Sequence, residues 1–203
     1  MSDLEEAYLQ RYEQVLSPMV ETLEQELWEC LCEVASRIDR LTVRPKSPDS
    51  FLLKAEKRQG EEPKYSDPMQ EIRDQIGARI VALYVDDIEP IEKIVLTYFT
   101  PAELQDLVPE SESEFGYVGR HLLLIIPPDI EPEGATQDSI PDFFELQIKT
   151  LFQHAWAEAN HDLSYKPSGE LTFDQRRKVA FTAAQAWGAD MIFNELQRDL
   201  RTS

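Results

Sequence analysis

The sequence predicts an α+β domain, a mixed β-sheet flanked by helices. Three observations carry that reading. Two apolar runs, Arg79–Val85 and His121–Ile126, have the length and β-branched or aliphatic content of strands. A third run, Phe143–Lys149, alternates between apolar and polar residues from Phe144 onward. Helical periodicity marks a stretch after the first run and both ends of the chain, so helices cover a sheet whose strand order the pattern leaves open.

Taken in order, residues 3–39 carry helical spacing with one break. Leu4, Tyr8, Leu9, Tyr12, Val15 and Leu16 mark a first helix, and Leu23, Leu27, Leu31, Val34 and Ile38 line one side of a second. Ser17-Pro18 separates them, with Pro18 suited to opening a helix. Arg44 to Arg58 is turn-prone and basic, with Lys46, Lys54 and Lys57 set against only Asp49 and Glu56. After the Arg79–Val85 strand, Asp86-Asp87 lead into an amphipathic helix at Ile91–Tyr98. Pro101–Phe115 reads as a loop containing the acidic run 110–114, and Pro127–Pro141 as a second loop. In the alternating strand Phe144, Leu146 and Ile148 face one way and Glu145, Gln147 and Lys149 the other. Thr150 caps a helix reaching about Tyr165, and a final helix runs from about Thr172 to Leu200. The expected organisation is one domain over 1–203: N-terminal helices at 1–40, a core at 41–166 and a C-terminal helix at 167–203.

Composition narrows the class of protein. With 203 residues, 42% apolar and 29% charged, the chain is globular. Its net charge of −19 repels polyanions in bulk, which argues against non-specific nucleic-acid binding. No apolar run approaches the ~20 residues of a membrane span, and the acidic start (Asp3, Glu5, Glu6) is the reverse of a secretory leader. Cys30 and Cys32, two apart in a helical stretch, suit neither a disulfide nor a zinc knuckle. A cytoplasmic location is expected.

There is no Walker loop, no GxGxxG and no HExxH, and glycine occurs only seven times. Any phosphate must therefore be held by side chains. Arg44, Lys46, Ser50 and Lys54 offer three cations and a hydroxyl in the pattern RxKxxxSxxxK, although alone such a run also fits a solvated basic turn. Asp74, before a turn into the first strand, and Glu145, on the polar strand face, are acids of the kind Mg²⁺ uses with substrate phosphates; each alone also fits a surface carboxylate. His154, Glu158, His161 and Tyr165 share one helical face. A zinc reading of that stripe lacks ligands, His121 being the only other histidine, and a substrate-facing stripe is the better reading.

As an ordered set these pieces resemble the synthetase domain of RelA/SpoT proteins, especially the short single-domain forms. The likeness runs over about residues 20–170, through Arg44-Pro-Lys46-Ser-Pro-Asp-Ser50-Phe-Leu-Leu-Lys54, Asp74-Gln-Ile-Gly77-Ala-Arg79 and Val85-Asp86-Asp87-Ile88. It continues through Gly116-Tyr117-Val-Gly-Arg-His121, Glu145-Leu-Gln147-Ile-Lys149-Thr150 and Ala155-Trp156-Ala-Glu158, then His161 and Tyr165-Lys166. The resemblance implies a nucleotidyltransferase-like fold that transfers the β,γ-diphosphate of ATP to the 3′-hydroxyl of GDP or GTP. It implies that Asp74 and Glu145 hold Mg²⁺, with Glu145 helping to deprotonate the hydroxyl. Arg44 and Arg79 would sandwich adenine while Lys46, Ser50 and Lys54 hold the ATP phosphates. Tyr117 would stack on the acceptor base, with His121, Gln147, Lys149 and His154 lining that side.

The departures concern the acceptor. Glu110, Glu112 and Glu114 stand where the family usually carries lysines, Val118 stands where Arg is usual, and Lys149 replaces an Arg. Three readings follow: a guanosine tetra- or pentaphosphate synthetase; a growth-inhibiting relative that uses another acceptor, such as the 3′ end of tRNA or an adenine nucleotide; and a catalytically idle regulatory module. The resemblance also admits a homo-oligomer or an antitoxin partner.

Overall fold

The computed structural model describes residues 3–106, 119–132, 134–136, 139–164 and 171–202. The chain opens with α1 (Asp3–Arg11), a π-helical turn (Tyr12–Leu16) and α2 (Ser17–Cys30), all in helical backbone. The break expected at Ser17-Pro18 is therefore absent. Pro18 has no N–H to give the preceding turn, and the wide turn before it absorbs the defect. There Ser17 bonds back to the Tyr12 carbonyl through both its N–H and its hydroxyl, the latter at 2.7 Å. Tyr8, Leu16, Met19, Leu23 and Leu27 along this rod are fully buried.

A 3₁₀ turn (Cys32–Arg37) then leads into β1 (Ile38–Pro45), so the helical reading of 3–39 overshoots into a strand. In β1 only Ile38 and Leu41 are buried, and an irregularity between Ile38 and Arg40 breaks the alternation that marks a strand. There follow α3 (Pro48–Ala55), a small hairpin of β2 (Arg58–Gln59) and β3 (Glu62–Pro63), α4 (Pro68–Glu71) and β4 (Ile76–Ala82). The hairpin turns at Gly60, whose φ of 69° suits glycine. The first predicted strand is thus real but shifted toward the N-terminus, since Tyr84 already opens the next helix.

That helix, α5 (Val85–Tyr98), starts earlier than its apolar pattern suggests. Asp87 accepts from the Tyr84 N–H at 3.1 Å and is held by both arms of Arg37 at 2.9 and 3.0 Å. β5 (Pro101–Asp106) occupies the start of the expected loop, and the acidic run 110–114 lies outside the described residues. β6 (Arg120–Ile125), a 3₁₀ turn (Pro128–Ile130) and β7 (Phe143–Thr150) complete the sheet. α6 (Leu151–Ser164) and the 30-residue α7 (Phe173–Thr202) end the chain.

The five-stranded sheet runs β1-β4-β7-β6-β5. Its central pair, β4–β7, is parallel and its other neighbours are antiparallel, so the sheet is mixed, as the sequence predicts. One face is dry. Phe144, Leu146 and Ile148 of β7 are fully buried there with Ile80 of β4, and Phe99 meets Phe144 edge-on at 5.5 Å. The other face carries the polar residues of the same strands.

Candidate active site

Strand register assembles the site. On the polar face, Arg44 of β1 lies opposite Gly77 of β4, which lies opposite Glu145 of β7. The next row is Thr42, Arg79, Gln147 and, on β6, His121. A side chain at Gly77 would meet nothing within 4 Å, so the floor between Arg44 and Glu145 is open.

The basic segment folds over this floor. Ser47 caps α3, its hydroxyl accepting from the Ser50 N–H at 3.3 Å, and Lys54 follows Ser50 by one helical turn. Lys46 and Lys54 each reach a different oxygen of Asp74, both at 2.9 Å. Burial pushes the Asp74 carboxyl up, and the two ammonium groups outweigh it, holding the acid below the usual carboxylate range.

A second layer fixes these groups. The Tyr8 hydroxyl donates to the Lys46 carbonyl at 2.8 Å, while Tyr8 stacks on Phe51 at 3.7 Å. The Lys46 N–H donates to the Gln75 carbonyl at 2.8 Å, and Arg11 binds the buried Gln75 side chain at 3.1 Å. Sequence reasoning misses Tyr8, Arg11 and Gln75 as site supports. They come from distant segments and no spacing links them.

Glu145 accepts from Gln147 Nε2 at 3.3 Å and pairs with His121 Nδ1 at 2.9 Å. The His121 contact holds the Glu145 carboxyl below its ordinary value despite burial. His121 Nε2 and Gln147 Oε1 are buried without a hydrogen-bond partner among the described residues. A buried polar atom left unpaired is costly, and a bound polar ligand would satisfy both. Lys149 is nearly buried; burial lowers its pKa, Arg79 adds to the effect, and Glu158 and Glu145 oppose it.

Two clefts flank the acids. One of about 700 Å³ is lined by Arg44, Lys46, Ser50, Arg79, Gln147 and His154. The other, of about 500 Å³, is lined by Lys54, Lys64, Arg73 and His121, with Glu71 and Glu103. Asp74 and Glu145 border both. Gln147 and His154 therefore stand beside Arg44 and Arg79, on the side assigned to ATP, and His121 stands across the acids. Lys64 and Arg73 went unnoticed because no motif contains them. From α6, Glu158 pairs with Arg79, and His154 Nδ1 lies 3.3 Å from the same guanidinium. Burial lowers the His154 pKa, and the Arg79 charge lowers it further. His161 lies exposed further along α6, and Tyr117 and Tyr165 fall outside the described residues.

Among the described residues no three His, Cys, Asp or Glu side chains cluster as a metal cage. The pair Asp74 and Glu145 nonetheless fits Mg²⁺, which binds through one or two carboxylates and completes its shell with water and substrate phosphates.

A mixed sheet whose open face gathers cations and a hydroxyl around two carboxylates is the framework of a transferase acting on phosphate groups. The chain belongs to the RelA/SpoT family, whose model, described as a region found in RelA/SpoT proteins, matches residues 43–170. It is 28% identical over 171 residues to the GTP pyrophosphokinase YjbM of Bacillus subtilis, covering 82% of this chain and 75% of that protein. The crystal structure of small alarmone synthetase 1 from Bacillus subtilis superposes with a TM-score of 0.76 at 25% identity, covering all of both chains. The same enzyme bound to its product pppGpp gives 0.76 and 25%, covering 98% of this chain and 100% of that one.

Proposed function

We propose that this chain is an ATP-dependent pyrophosphokinase that moves the β,γ-diphosphate of ATP to the 3′-hydroxyl of a guanine nucleotide. The observation that carries the reading is the pair of clefts meeting at Asp74 and Glu145. A transfer between two nucleotides needs one pocket for each and a shared point where attacking and leaving oxygens meet. The relatives named GTP pyrophosphokinase and small alarmone synthetase support guanine as the acceptor base.

In this reading ATP occupies the larger cleft. Arg44 and Arg79 sit on neighbouring strands, and their planar guanidinium groups suit the two faces of a purine. Glu158 and His154 keep Arg79 in place. Lys46 and Ser50 bind phosphate oxygens from this cleft and Lys54 from the smaller one, at the common border by Asp74, neutralising charge where it builds in the transition state. Asp74 and Glu145 would hold Mg²⁺, which would supply further neutralisation of phosphate charge. The acceptor enters the smaller cleft with its 3′-hydroxyl toward Glu145, whose carboxylate is ionised at neutral pH and takes up the proton. His121 orients that carboxylate.

The test is transfer of label from γ-labelled ATP in the presence of Mg²⁺, with GDP, GTP, ADP and tRNA offered separately. Label is expected in a guanine product that loses it when Asp74 or Glu145 is changed to Ala. Label entering only ADP or tRNA would replace the acceptor, and no transfer to any of the four would overturn the reading.

A further inference from the structure

Asp74 and Glu145 are the acids of the site, yet neither presents an unengaged carboxylate to a cation arriving alone. Lys46 Nζ lies 2.9 Å from one Asp74 oxygen and Lys54 Nζ lies 2.9 Å from the other. Only 21% of the Asp74 side chain is exposed, so little of it is left for a third cation. Glu145 is engaged as well: its Oε1 lies 2.9 Å from His121 Nδ1 and accepts from Gln147 Nε2 at 3.3 Å.

Charge points the same way. Two carboxylates stand against two ammonium groups, so the four together have no net negative charge to draw a dication. A divalent ion at Asp74 would stand beside both lysines, and the repulsion doubles with its charge. Salt screens such a partly buried group poorly. Mg²⁺ is also slow to give up its own water, which a site already occupied by lysines does little to replace.

A polyphosphate reverses the balance. It carries several charges where Asp74 carries one, and a lysine ammonium on its flexible stem can turn to a new partner. The backbone beneath is fixed, so the side chains can move without loosening the chain. The Lys46 N–H donates to the Gln75 carbonyl and its own carbonyl accepts from the Tyr8 hydroxyl, both at 2.8 Å. Lys54 is carried by α3, whose start is capped by Ser47.

We propose that Lys46 and Lys54, besides holding phosphate, lock the metal site: they close Asp74 to a free divalent cation and release it when a triphosphate takes them over. The nucleotide then binds before the metal or together with it, and the metal never binds first. This rests on the donor reading of the larger cleft, and the test measures binding without transfer.

The probes are Mn²⁺, counted as the free ion by electron paramagnetic resonance, and α,β-methylene ATP, in which the bond that transfer would break is blocked. Wild type alone tests the order: relaxation of water protons, which quickens when Mn²⁺ sits on a protein, is expected to respond only after the analogue is added. The analogue is expected to bind wild type in EDTA. Lys46→Gln and Lys54→Gln are each expected to bind Mn²⁺ without nucleotide about tenfold more tightly than wild type, an ordinary strength for coupling between two sites. The same variants are expected to bind the analogue more weakly. An unfolded variant would lose both ligands, so opposite changes in one preparation mark the lock. Lys46→Arg and Lys54→Arg keep the charge and are expected to keep Mn²⁺ out. Wild type that takes up Mn²⁺ alone as tightly as the Gln variants overturns the lock, as does a gain that the Arg variants share; the donor reading survives either result if the analogue still binds. An analogue that wild type binds neither with nor without metal overturns both.

Discussion

At the scale of single residues, the groups that make the site are also the ones the fold tolerates least. Lys149 lies on β7 two residues beyond Gln147, the partner of Arg79 in the register, almost out of water. Its pKa is lowered in the folded chain, so the unfolded chain binds the proton more tightly. Charged Lys149 therefore costs stability at neutral pH, and the cost fades as pH rises toward the free-lysine value. Lys149→Met is expected to raise stability by about 1 kcal/mol, on the scale seen when buried charges are replaced by apolar groups of similar size. For a chain of this length that is about 2–4 °C in Tm. On the proposed function, which sets Lys149 on the acceptor side, turnover is expected to fall in the same variant. Thermal unfolding and a rate assay on one preparation decide it, and a lower Tm would contradict the argument. The residues around Lys149 were readable in the sequence because they stand in short ordered motifs. Their supports were not: Arg11 and Gln75 are brought together only when α1 packs beside the segment leading into β4.

At the scale of elements, the sheet edges hid and the starts of the last two helices did not. β1 and β5 are the two edge strands, and neither shows a run of alternating apolar residues. β1 is protected in part by α2, whose Glu24 accepts from the Val43 N–H at 3.0 Å and so occupies an edge donor. β5 begins at Pro101, tolerable at the first residue of an edge strand, which makes the stretch read as loop. The starts of α6 and α7 were legible because each is a Thr-x-x-Gln capping box. Thr150 and Gln153 bond reciprocally at 3.1 and 2.9 Å, and Thr172 and Gln175 at 3.3 and 2.8 Å. Two glycines, Gly77 in β4 and Gly119 just before β6, separate folding from function. A side chain at Gly119 would lie 2.3 Å from the Ile148 carbonyl oxygen and 2.6 Å from Lys149 Cγ, and strand backbone cannot give way. Gly119→Ala is expected to destabilise by about 1–3 kcal/mol, the usual cost of overpacking. Gly77→Ala meets open space and is expected to leave stability within about 0.5 kcal/mol. Urea unfolding of the two variants checks the contrast, and equal midpoints would refute it.

At the scale of the molecule, a body of net charge −19 sets a group of its cations around the two clefts. Three of them, Lys46, Lys54 and Arg79, are already tied to carboxylates. The acidic exterior repels polyanions, and the cations at the clefts offset that repulsion locally. The two clefts have a common border at Asp74 and Glu145. That shared wall has a kinetic meaning. The groups there are engaged: Asp74 with Lys46 and Lys54, Glu145 with His121, and the Ser50 hydroxyl with that of Ser47, so none is poised as a covalent carrier of the diphosphate. Donor and acceptor must then be present together, and the group passes directly between them. Initial rates measured against ATP at several fixed acceptor concentrations should give double-reciprocal lines that converge, the mark of a ternary complex. Parallel lines would mean that the enzyme itself is modified midway, something this wall is not built to allow.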